Sequence, residues 1–89
     1  MRSVTTARFR KSLERLPKKI QTRAVKVYAL WSKDPQHPSI SFKQIHSTEP
    51  IYSVRIGLGY RALGILNDKT MVWFWIGSHE DYNSLIKTM

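Results

Sequence analysis

Apolar residues recur at helical spacing in the first third of the chain and at strand spacing afterwards, with a proline-containing stretch between. Phe9, Leu13 and Leu16 stand at i, i+4 and i+7, the stripe of a short amphipathic helix. Pro17 then suits the first turn of a new helix, where its missing N–H costs nothing. Ile20, Ala24, Val27, Tyr28 and Trp31 continue at helical period. The pattern predicts a helical hairpin that ends near Asp34-Pro35.

Pro35 and Pro38 make residues 34–39 a loop. Beyond it the period drops to two. Ile40 and Phe42 alternate with Ser41 and Lys43, and Tyr52, Val54 and Ile56 with Ser53 and Arg55. Gly57-Leu58-Gly59 reads as a tight reversal. Arg61, Leu63 and Ile65 then alternate with Tyr60, Ala62 and Gly64, and Asn67-Asp68-Lys69 marks a second turn. Met71 to Ile76 is apolar at every position, which predicts a central strand covered on both faces. Ser78 is a helix N-cap with Asp81 three residues on, and Leu85, Ile86 and Met89 give a short C-terminal helix its apolar side. A further short strand is expected at Ser3 to Thr6. The predicted class is α+β: a helical hairpin packed on a three- to four-stranded antiparallel sheet, closed by a short helix. Residues 1–89 are read as a single domain, since a chain of this length has room for one modest core.

Charge adds a functional direction. Eleven of the fifteen Lys and Arg residues fall within residues 1–43, opposed there only by Glu14 and Asp34. The rest of the chain is balanced, and the net charge is +9. A basic half joined to a compact sheet suits a polyanionic partner. The absence of cysteine excludes disulfides and thiolate metal sites. With no signal peptide and no membrane span in the pattern, the expected location is the cytoplasm.

Lys19, Arg23, Lys26 and Lys33 share one flank of the second helical stripe and are candidates for binding RNA phosphates, against the plain alternative of a solvated helix face. Arg55 and Arg61 flank the glycine turn. Arg61 shares a strand face with Leu63 and Ile65, where its fork can meet a phosphate, or else pair with Glu49, Glu80 or Asp81. His79 and Tyr82 follow the apolar strand directly, held by rigid elements; the imidazole suits proton transfer near neutrality. His37 and His46 show no metal-ligand spacing, so no metal or other cofactor is expected.

The motifs R-L-P-K-K-I-Q (15–21), Y-S-V-R-I-G-L-G-Y-R-A-L-G (52–64) and I-G-S-H-E-D-Y (76–82), in this order, resemble the RelE/ParE superfamily of toxins from bacterial type II toxin–antitoxin systems. The resemblance spans nearly the whole chain. It implies a RelE-like fold and a cognate acidic antitoxin that folds as it binds. The RelE branch further implies a ribosome-dependent, metal-independent mRNA endoribonuclease that inhibits translation. There the ribose 2′-hydroxyl attacks the adjacent phosphorus and leaves a 2′,3′-cyclic phosphate. The matching catalytic positions are Lys43, Arg55, Arg61, His79 and Tyr82. Arg61 would hold the scissile phosphate, Lys43 and Arg55 would add positive field, His79 would move protons, and Tyr82 would stack on or orient a base. Two departures stand out: Ser39-Ile40-Ser41 lacks the glutamate that some members carry, and His79 replaces their arginine. The ParE branch implies a DNA gyrase inhibitor with the same fold and no nuclease activity. A third reading is an inactive RelE-fold binding protein.

Overall fold

The computed structural model describes residues 2–89. Strand β1 (Arg2–Thr5) leads into helices α1 (Ala7–Glu14) and α2 (Lys18–Lys33), followed by a short 3-10 turn at Pro38–Ile40. Strands β2 (Lys43–Gln44), β3 (Ile51–Gly57), β4 (Tyr60–Asn67) and β5 (Thr70–Ser78) come next, and helix α3 (His79–Ile86) follows. One sheet carries all five strands in the order β1-β5-β4-β3-β2.

Local chemistry sets the boundaries. Thr6 caps α1 by accepting from the Phe9 N–H at 3.0 Å. The α1–α2 turn is tied by the Gln21 amide, which donates to the Glu14 and Leu16 carbonyls at 3.2 and 2.8 Å. Asp68 and Lys69 both take positive φ, 52° and 66°, which is the two-residue hairpin turn whose twist matches the flanking strands.

Both helices of the hairpin cover one face of the sheet. The core there joins Ala24 and Trp31 of α2 to Val54, Ile56, Ala62, Met71, Trp73 and Ile76, with Ile40 at its end. Trp31 and Trp73 meet edge to face at 5.2 Å. Gly64 makes room for this packing. A Cβ there would lie 2.7 Å from the Trp73 ring and 2.8 Å from the Met71 sulfur. Phe9 and Leu13 of α1 and Val25 and Tyr28 of α2 line an apolar cleft of about 200 Å³ floored by the sheet.

Three expectations change. The sheet has five strands where three or four were expected, and it is mixed, because β1 pairs parallel with β5, from Arg2↔Thr70 to Thr5↔Trp73. The strand expected from Ile40 shrinks to Lys43–Gln44. Pro38 starts a 3-10 turn instead, and Ser41 turns the chain with φ 45°. Strand β5 is covered on both faces as expected, and it carries a bulge: Leu63 faces Trp75 and Gly64 faces Trp73, so Phe74 is extra. Past it, Ile76 returns to the helix side while Trp75 packs on the opposite face beside Tyr82 of α3, at 6.5 Å. As expected, β5 lies inside the sheet, between β1 and β4.

Candidate functional site

Side chains alternate across a strand, so β3 residues that send Val54 and Ile56 into the core send Ser53 and Arg55 to the opposite face. On β4 the same parity puts Arg61 and Leu63 there. Register completes the array. Lys43 stands opposite Ser53, Ser53 opposite Leu63, and Arg55 opposite Arg61. The three basic strand residues expected at the site therefore share the face away from the hairpin.

Helix α3 covers part of that face. Ser78 caps it by accepting from the Asp81 N–H at 3.1 Å, and the His79 N–H donates to the Gly59 carbonyl at 2.7 Å. These bonds seat the helix against the β3–β4 turn and drop Tyr82 onto the sheet, where it is 5% exposed. The Arg61 guanidinium carbon lies 5.2 Å from the centre of the Tyr82 ring, a cation–π arrangement. Arg61 Nη1 also donates to Ser53 Oγ at 3.2 Å. Neither partner is a carboxylate. The Arg61 Nε is buried and, among the described residues, has no hydrogen-bond partner. Arg55 folds back along its own strand, its Nε donating to the Gly57 carbonyl at 3.3 Å.

The remaining candidates separate. The His79 ring lies 5.9 Å from the Tyr82 ring and is exposed, at the rim of the array. Tyr82, expected to stack on or orient a base, is buried against the Arg61 guanidinium. Lys19, Arg23 and Lys26 line a groove of about 860 Å³ between α2 and β3, which Arg55 also borders. Lys33 does not line it. It sits in the last turn of α2, where a cation favours the helix dipole. Among the described residues no group of three or more His, Cys, Asp or Glu is placed to hold a metal ion.

One contributor was missed by sequence reasoning. Ser53 is fully buried and holds the Arg61 fork, yet it reads in the sequence as a polar alternation position. The available signal was its parity with Arg55 on a strand otherwise rich in Val and Ile.

A family model described as a ParE-like toxin domain matches residues 18–84. No curated protein matches the sequence. The fold is similar to that of the RelB–RelE antitoxin–toxin complex from Methanococcus jannaschii, with 17% identity, a TM-score of 0.74 and coverage of 92% of this chain and 96% of the other. The toxin–antitoxin complex RelBE2 from Mycobacterium tuberculosis gives 22% identity and a TM-score of 0.70, covering 88% and 96%. The isolated RelE toxin of E. coli gives 16% identity and a TM-score of 0.65, covering 98% and 96%.

Proposed function

We propose a function for this chain from the premise that it belongs to the ParE-like toxin domain family: it is the toxin of a toxin–antitoxin pair, and it cuts messenger RNA on the ribosome. The observation that carries the reading is the Arg55–Arg61 pair. Two arginines occupy directly opposite register positions on adjacent antiparallel strands, where like charges cost stability. An anion bound between them removes the cost. A phosphodiester suits this site, because Arg61 is pre-set by Ser53 and Tyr82 and needs little reorganisation to meet it.

The chemistry follows from the array. The 2′-hydroxyl oxygen bonds to phosphorus as the P–O5′ bond breaks, giving a 2′,3′-cyclic phosphate and a 5′-hydroxyl. Negative charge grows on the non-bridging oxygens, and Arg61 and Arg55 stabilise it. Lys43, across from Ser53, adds field along the same face. His79 takes the 2′ proton or supplies one to O5′. Tyr82 acts through Arg61 as a positioning residue. The partner is an acidic antitoxin. The charge of +9 supports this, and two of the similar folds are toxins in complex with antitoxins.

The family description favours a second reading, in which the same fold inhibits DNA gyrase without nuclease action. Single-turnover cleavage of mRNA on programmed ribosomes, beside a gyrase supercoiling assay, decides between them. The expected result is cut RNA with a cyclic phosphate end and unimpaired supercoiling. Intact RNA with blocked supercoiling would falsify the nuclease reading. Inertness in both assays, together with failure to arrest growth, would leave an inactive binding protein.

A further inference from the structure

Tyr82 is too deeply buried to offer its ring to RNA, but the face it covers carries a second aromatic side chain. Of the three tryptophans, Trp31 and Trp73 are 1% and 3% exposed, with both indole N–H groups buried in the core. Trp75 is only half-buried, and it lies on the side of the sheet that carries Arg61. Trp75 stands opposite Leu63 and Gly77 opposite Arg61, so Trp75 and Arg61 are diagonal neighbours. Such neighbours are about 7–8 Å apart, within reach of a ring and a long side chain. The indole does not stand upright. It leans along β5 across Gly77, where a Cβ would lie 2.8 and 2.9 Å from its Cζ2 and Cη2. That lean carries the six-membered ring to the register position opposite Arg61, next to the Tyr82 ring at 6.5 Å.

We infer that Trp75 is the platform on which a nucleobase stacks while Arg61 holds the neighbouring phosphate, and that it gives the site a preference for purines. The inference rests on the reading that RNA lies on this face. A nucleotide presents an anion and a flat apolar ring a short, fixed span apart. Here a guanidinium and a partly open indole stand side by side at the same scale. A tryptophan that only filled space under α3 would be covered as fully as Tyr82, at 5% exposed. Gly77 fits the same account, because any side chain there would push the ring away from Arg61. The cations of this face hold the backbone and carry no base information. Stacking accepts every base, since each has a π-face, and discriminates by its strength. The larger purine ring covers more of the indole, so the preference is one of degree.

The probes are labelled 2′-O-methyl oligoadenylate and oligouridylate, which lack the attacking hydroxyl and stay whole. Binding at low ionic strength is followed by polarisation of the label, and stacking by quenching of the indole fluorescence. Wild type is expected to bind oligoadenylate more tightly than oligouridylate and to lose indole emission as it does so. W75L should bind oligoadenylate about ten- to a hundredfold more weakly, the usual weight of a stacked base, and lose the preference over oligouridylate. G77A keeps the indole but displaces its ring, and should lose the same preference, so the test does not hang on one variant folding. Circular dichroism checks the fold of each. The inference is overturned if wild type binds both probes equally, if RNA leaves its indole emission unchanged, or if folded W75L or G77A keeps the preference. With binding still weakened by R61A, those results leave the nuclease reading standing. Binding that R61A does not weaken overturns both, because the RNA then lies elsewhere.

Discussion

Arg55 faces Arg61 across the strands, and the partners that hold Arg61 are not carboxylates, which decides what single substitutions at the site should do. Arg55→Glu replaces repulsion by an ion pair. It should raise stability by about 0.2–1 kcal/mol, the usual range for a cross-strand charge pair, while suppressing cleavage. Urea unfolding and single-turnover cleavage read the two effects in opposite directions; a drop in stability would show that the pair is not strained. Arg61→Ala should cost roughly a hundred- to a thousandfold in cleavage rate, as for other preorganised charge-stabilising groups. His79→Gln should cost about 10²- to 10⁴-fold, with the helical circular dichroism signal preserved because the ring is exposed. Arg55, Arg61 and His79 were legible in the sequence because charged or titratable residues stood out beside apolar strands. Ser53 was not, since a buried serine on a strand looks like any alternation residue until its partner is known.

Among the elements, α3 governs the site most directly. Its cap is Ser78, and Ser78→Ala should cost about 0.5–2 kcal/mol. Because α3 carries Tyr82, the same change should lower cleavage more than an equal loss of stability placed in α1. Comparing thermal midpoints with rates for the two variants checks this. In the core, Gly64→Ala forces a methyl group against Trp73 and Met71, and overpacking of that kind typically costs about 1–3 kcal/mol. A variant as stable as wild type in urea would mean that both neighbours can yield. The elements were largely readable: two helical stripes, the alternations of β3 and β4, and a capped final helix. Around Ile40 the alternation misled, because turn geometry at Pro38 and Ser41 overrides a short run of period two. A parallel β1 was not legible either. Alternation shows that a segment is extended but carries no information about the direction of its neighbour.

Over the whole molecule, charge is sorted by face. Lys19, Arg23 and Lys26 line the groove beside α2, while Lys43 and Arg61 lie on the opposite side of the sheet. Arg55, on β3, borders both. The net charge was visible in the sequence, but this division was not, because it depends on which strand faces which helix. On single-stranded RNA, each phosphate that a cationic side chain neutralises steepens the fall of log affinity with log salt by about 0.7. Arg55→Ala with Arg61→Ala should therefore flatten the slope by twice that amount. An unchanged slope would place the RNA elsewhere.

The parallel pairing of β1 with β5 also sets an order of events in time. Arg2–Thr5 are made before the other strands, but their neighbours on the sheet, Thr70–Trp73, are made last among the strands. At about 5–20 residues per second, the early strand waits several seconds for its mate. Tyr82 arrives later still, and without it Arg61 lacks its backing ring. With the site proposed above, a nascent chain is unarmed while its own message is being read. Stalled chains ending before Thr70 should show no cooperative unfolding under force, whereas released chains should. Synthesis itself gives the cell an interval in which a neutralising partner can be ready before there is anything to neutralise.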